Sequence, residues 1–367
     1  MKRVSLRTFL FAALAVPLKR PSIEIVDFRM IESKTESALT KRSLEINATS
    51  AQLYKPEEIT TLQAPRAKFW GAQKRPFEIQ GELGILNGDT QDLTIRGSAE
   101  VLSPDLYLFR TKDLDYDSHD RVFRGEDPVE GFRKVAQAER NLRITGTGLR
   151  IYLNENIYEI PRNVIAQQML SPGNPFTIRS RRSEIAPEKS IATFQSGVSV
   201  RAQKMDLRGE KLIVNLKEGR PSRLAMTAEN TGKIQATLSD LKIRSKGLQV
   251  ALADNGDIDH SEALGDVEST SSDGTQLKAQ KLTSGLHEGK QRLILEGDVT
   301  ILTDNRVASC EYATYFPESG DIVLERVASV KGNGQSIEGE RIRFSTKNAE
   351  IKVEGAKGEV VRKQLGI

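Results

Sequence analysis

In the stretch LILEGDVTILT, Leu293, Leu295, Gly297, Val299 and Ile301 occupy alternate positions, separated by Ile294, Glu296, Asp298 and Thr300. A period of two predicts a β-strand with one apolar and one polar face. The glycine on the apolar side predicts a kink, a bulge or a close approach. The phrase recurs along the chain. Phe77, Ile79, Gly81, Leu83 and Ile85 alternate, then Asn87-Gly88-Asp89 turns the chain, and Leu93, Ile95, Gly97, Ala99 and Val101 alternate again. Asn-Gly between two such runs predicts a hairpin. Leu142, Ile144 and Gly146 slip phase against Leu149, Ile151 and Leu153, which predicts a bulge. Gly197, Gly232, Gly265 and Gly297 open the phrases SGVSV, TGKIQA, LGDVES and EGDVT, at spacings of 35, 33 and 32 residues. A repeat of about 30 residues in a β-rich chain predicts a solenoid, a propeller or a stacked sandwich. Trp70 is the only tryptophan, and no unit carries the marks of a tryptophan-aspartate propeller. The units lack helices between strands, which favours antiparallel sheets.

Three stretches depart from the pattern. Lys2, Arg3 and Arg7 precede the apolar run Phe9–Leu18, which reads as a secretory signal or a short uncleaved anchor. Val129–Asn141, with Phe132, Val135, Ala136 and Ala138, could hold a short helix. Residues 166–191 contain Pro172, Gly173, Pro175 and Pro187 with Arg179, Arg181 and Arg182, and read as a linker. The expected organisation is a signal or anchor over 1–20, a β module over 21–165, the linker, and a second β module over 192–367.

Composition narrows the function. A formal net charge of +4 is too mild for a nucleic-acid footprint, so no nucleic-acid partner is expected. The single cysteine, Cys310, excludes an intrachain disulfide. His119, His260 and His287 are scattered, and no zinc spacing exists. Nucleophile elbows, phosphate loops and metalloprotease signatures are absent. Asp113, Asp115 and Asp117 alternate along one strand but lack the glycine and glutamate of a calcium loop. Asp254, Asp257 and Asp259 read in the same way. The chain is expected to be neither an enzyme nor a cofactor or metal protein.

Two apolar sheet faces can close on a dry core or gape as a trough. A trough suits acyl chains, because each buried CH2 contributes about 0.8 kcal/mol, and lysine or arginine at its mouth would suit a phosphorylated head group.

The stretch Leu295–Phe344, with GDVEST and LKAQKLTSGLHEGKQRLIL one unit earlier, resembles the OstA-like domain of the LptA family of lipopolysaccharide-transport proteins. The first half is similar to LptC, through LEINATSAQLYKPEEITTLQAPRAKFW, IRGSAEVLS, FRTKDLDYDSHDRVFRGEDPVE and ITGTGLRIYL. The resemblance covers about 44–165 and 192–360, and 132–141 looks like an insertion. It implies an all-β fold of two consecutive β-jellyroll (β-taco) modules of short antiparallel strands. It also implies a groove for the acyl chains of lipid A and edge-to-edge stacking into a bridge between the membranes. The implied partners are lipopolysaccharide, an inner-membrane ABC transporter of the export system, an outer-membrane lipopolysaccharide translocon and further copies of the chain. By analogy, Val198, Val200, Val267, Leu295, Val299 and Ile301 would face the groove. The implied compartment is the periplasm, with the N-terminal segment as tether or as a cleaved signal. The family usually keeps these modules on separate chains, so a linker here would make their interface internal. The residues alone leave two other readings: a structural or adhesive β-solenoid with a filled core, and a polysaccharide-acting β-helix enzyme.

Overall fold

The computed structural model describes residues 21–36, 39–133, 142–228, 232–332, 335–347 and 350–355. The expected N-terminal segment lies outside them, as does 134–141. Within them, twenty-nine antiparallel strands form one hydrogen-bonded sheet. The fold follows from how the apolar phrases bend. Many long phrases run as a strand, bend sharply, often at a glycine, and continue in a second direction. Lys290–Thr303 pairs with its neighbours through Glu296 and again from Val299, with a register shift between. Gly297 and Asp298 both sit at positive φ there (75° and 50°), and Gly265 with Asp266 repeats the arrangement (76° and 47°). Glycine tolerates that conformation, and Asp adopts it more readily than most residues. Residues 77–85, read as one run, divide the same way into Phe77–Gln80 and Leu83–Asn87.

The bends align into a spine, and the sheet folds along it into two arms with their apolar faces inward. One arm carries segments such as Val122–Gly125, Ile157–Ile160, Arg182–Ala186, Lys211–Lys217 and Lys290–Glu296; the other carries Ala99–Leu102, Tyr107–Thr111, Arg162–Ser171, Asn174–Ser180, Met205–Arg208 and Val299–Thr303. Alternation puts Leu, Ile, Val and Phe inside, and one continuous core runs from Leu44 to Phe344. The strands of the second half are long, 11 to 14 residues from Ile258 to Ser345, not short as expected.

The stretch expected as a linker is sheet. Arg162–Ser171, Asn174–Ser180 and Arg182–Ala186 are strands, joined to the first half through Leu142–Tyr152 and Ile157–Ile160 and to the second through Ile191–Ala202. Its prolines and glycine punctuate these strands. Pro172 and Gly173 form the turn of one hairpin, and Pro187 opens a single 3-10 turn. The segment expected as a short helix also begins as strand, Val122–Arg133, with Val129 and Gly131 on the buried face and Phe132 on the other face under Arg110.

Candidate functional site

All six residues expected to face a groove lie on the inner side, at 0 to 2% exposure. Val198, Val200, Val267, Val299 and Ile301 come from one arm and Leu295 from the other. They share the core but do not form one cluster. Val267 is four strands, or roughly 19 Å, along the sheet from Val198. At such burial each packs against the opposite arm, so no open trough passes over them.

The side opposite the spine, where the hairpin turns of the two arms meet, is laced by polar bridges. In the first half Asn156 Nδ2 donates to Asp105 Oδ2 at 2.6 Å, and the Tyr158 hydroxyl donates to Asn156 Oδ1 at 2.6 Å. Midway, Gln168 Nε2 donates to the Gly219 carbonyl at 3.3 Å, and Arg220 Nη2 donates to the Leu170 and Asp254 carbonyls, the former at 3.1 Å. Further along, the Tyr315 hydroxyl donates to Asp273 Oδ2 at 2.5 Å, and Arg306 Nη1 donates to the Ser345 carbonyl at 3.2 Å. Burial opposes the charge of Asp273, but hydrogen bonds from Ser271, Tyr315 and Thr275 outweigh it and hold the carboxyl below its usual range.

Directly beneath the midway bridges lies a narrow apolar cavity of about 30 Å³. Ile144, Ala166 and Phe176 line it from one arm and Ala192, Phe194 and Val214 from the other. Leu216, Pro221, Gln168 and Tyr107 form its rim. Two arginines stand at that rim. The Arg133 guanidinium lies 5.5 Å from the Tyr107 ring centroid and so close to Gly219 that any side chain there would collide with it. Arg220 Nε is buried without a hydrogen-bond partner among the described residues. Burial pushes the Tyr107 hydroxyl up to about 12, against the pull of Arg133, so the ring stays neutral. The site is therefore an apolar hole with spare cationic N–H groups at its lip. It offers no nucleophile and base, and no group of three metal-ligating side chains exists among the described residues.

Asp113, Asp115 and Asp117, considered for calcium, are absorbed by arginine. Arg96 reaches Asp113 and Asp115, and Arg124 reaches Asp117 and Asp120 at 2.7 Å each. Arg182 of the basic cluster serves Glu159 at 2.9 Å.

Residues 37–167 match the family model of LptC-related lipopolysaccharide-assembly proteins, and 177–350 match that of the LptA and LptD N-terminal lipopolysaccharide-transport domain. The chain joins an LptC-related module to an LptA/LptD-N module. It is a lipopolysaccharide-transport protein of the periplasm, and the two families are non-enzymatic transport families. No curated protein matches the chain. Among solved structures it matches LptH, described as the LptA-homologous periplasmic component of the lipopolysaccharide transport device of Pseudomonas aeruginosa. That match has 13% identity, covers 52% of this chain and 90% of LptH, and has a TM-score of 0.14. The two family matches meet at the hairpin Arg162–Ser171 and Asn174–Ser180, so the cavity lies where the LptC-related and LptA-like halves join.

The residues that build this site, Gln168, Arg220, Arg133 and Tyr107, were not singled out from sequence. One signal existed: Gln168 takes an apolar phase position between Ala166 and Leu170, and a buried polar group needs a partner.

Proposed function

We propose that the chain carries lipopolysaccharide by its lipid A acyl chains between the two arms, and that the chains are taken up at the cavity where the halves join. The observation that carries this reading is the cavity, which combines apolar walls with the two arginines at its lip. The energetics are favourable. Two of the midway bonds cross between the arms, Gln168 to Gly219 and Arg220 to Leu170, and opening a neutral and a charge-assisted bond costs about 2–4 kcal/mol. Burying six CH2 groups returns about 5 kcal/mol at 0.8 kcal/mol each. Acyl entry can therefore part the arms, and Val198, Val200, Val267, Leu295, Val299 and Ile301 then become the wall along which chains advance. Arg133 and Arg220 suit the phosphate of the head group.

Unpaired strand edges supply the contacts for assembly. Ile23–Glu36 has one partner strand, and its outer edge is free among the described residues, with Ile31 exposed. Ile351–Glu354 ends the sheet at the other side. Edges of this kind accept an added strand. In this reading the first edge docks on the inner-membrane ABC transporter, and the last edge meets another copy or the outer-membrane translocon. The N-terminal segment tethers the chain, the two modules divide near 166–191, and the chain itself performs no catalysis.

The test fills the cavity. Ala166→Leu with Ala192→Leu overfills a space of about 30 Å³, so a stability cost of about 1–3 kcal/mol is expected, and lipid is therefore compared per folded chain. Native mass spectrometry of the full chain from a lipopolysaccharide-producing host should show bound lipopolysaccharide for the parent and at least tenfold less for the double variant, with unchanged circular dichroism. Equal occupancy in the two proteins would remove the cavity from the pathway. An empty parent that also refuses added lipopolysaccharide would leave the filled-core scaffold reading.

A further inference from the structure

The outward face of the cavity-side arm differs between the halves. In the second half, five neighbouring strand segments form a concave outer surface around an open depression of about 1100 Å³. Cross-strand register sets its side chains in two rows. Arg208, Gln235, Arg244, Glu268 and Lys278 form one, and Asp206, Thr237, Lys242, Thr270 and Gln276 the other. A row of five strands spans roughly 19 Å. The two carboxylates are saturated. Asp206 lies 3.5 Å from Arg208 and 3.4 Å from Arg201, while Glu268 lies 3.0 Å from Lys233 and 3.8 Å from Arg244. Lys242 and Lys278 close no salt bridge among the described residues, although Lys278 stands across from Glu268 and helps hold that carboxylate charged, and Thr237, Thr270 and Gln276 stand between and beside the two lysines. The corresponding depression of the first half, about 560 Å³, is built differently. Most of its charges pair off, Lys68 with Glu78 at 3.5 Å and Arg110 with Glu100 at 2.7 Å, which leaves Arg66 without an ion pair among the described residues, and Leu102 and Leu108 interrupt it.

We infer that the concave outer face around Lys242 and Lys278 binds a phosphorylated oligosaccharide. The two ammonium groups provide for phosphate, and the flanking amides and hydroxyls provide donors and acceptors for sugar hydroxyls. No aromatic side chain lines the depression, so recognition is electrostatic and polar, and it weakens with salt. The inference rests on the transport reading above, because a lipid held by its acyl chains between the arms leaves its saccharide outside, free to lie along this arm.

The probe is core oligosaccharide freed of acyl chains, with phosphates retained, titrated calorimetrically into the full chain. Charge-assisted contacts are the strong ones, so Lys242→Ala with Lys278→Ala should weaken binding about tenfold or more. Phosphatase treatment of the probe should do the same, and Lys68→Ala in the first-half depression should change nothing. Binding that survives both the double substitution and dephosphorylation overturns the inference. So does equal binding of a single-stranded nucleic acid, which would mark the face as a general polyanion surface. The probe carries no acyl chain, so loss of lipid loading in the cavity-filled variant leaves this result untouched, and the two claims fail separately.

Discussion

The two halves fold on one plan but fill it with different material. Every ring pair among the described residues lies in the first half. Phe69 meets Tyr116 and Phe123 at 4.5 and 4.9 Å, and Tyr158 meets Tyr107 and Phe109 at 5.3 and 5.2 Å, in each case from opposite arms. The second half is aliphatic, with Phe176, Phe194, Tyr315 and Phe344 set apart among Val, Leu, Ile and Ala. Interlocked rings hold two arms together through large buried areas and favoured edge geometry. Aliphatic rows can be replaced by an acyl chain of the same chemistry with little net loss. We propose on this contrast that the LptC-related half braces and the LptA-like half carries, with the cavity where the two meet.

The largest effects should come from charge placed in either core. Val299→Asp puts an unpaired carboxylate at a position 1% exposed, and a cost of about 4 kcal/mol or more is expected, read as loss of cooperative thermal unfolding. This substitution therefore tests the fold and not the lipid. Phe109→Ala should cost about 3–5 kcal/mol and lower the melting temperature while leaving bound lipopolysaccharide per folded chain unchanged. Lipid lost in proportion at Phe109 would end the division of roles.

Intermediate effects sharpen it. Gln168→Ala should cost about 1 kcal/mol and speed uptake of added lipopolysaccharide, because one bridge over the cavity is gone. Slower uptake would show that the bridge serves entry. Alkaline titration separates the cores chemically. Burial pushes the Cys310 thiol up to about 11 from 9, and the Tyr107 hydroxyl up to about 12 from 10. Both neutral forms are favoured by folding, so their contribution is complete below the unfolded values and is lost as pH rises through the folded ones. Cys310 should resist alkylation at pH 8 in the folded chain, and rapid labelling there would place it outside the core. The smallest effect is at the spine. Val327 holds a φ of 56° and is exposed. Relief of a left-handed β-branched residue by Val327→Gly should add about 0.5–1 kcal/mol, seen as a slightly raised melting temperature.

The sheet was legible because period-two alternation reports which side chains point inward, and that holds from Leu44 to Phe344. The spine was legible where glycine marks it, at Gly197, Gly265 and Gly297, but not at Arg326-Val327, where two ordinary residues make the same bend. The error at 166–191 has the same root. Proline and glycine mark turns, and a turn between two strands looks locally like a linker. The joined sheet is visible only through pairings such as Thr177 with Arg201, partners distant in sequence. The cavity was hidden for a similar reason. Its walls are ordinary core residues, and the space between them depends on how two arms meet. The comparison of outer faces required register, since Lys242 is distinguished only by the threonines across from it.

One measurement addresses the central claim most directly. A photoreactive phenylalanine analogue placed at Phe176, on the cavity wall, and separately at Phe109, in the aromatic half, would be irradiated in the full chain loaded with lipopolysaccharide. The account predicts a lipid adduct at Phe176 and none at Phe109. An adduct at Phe109 alone, or at neither site in a chain shown by mass to hold lipid, would contradict it.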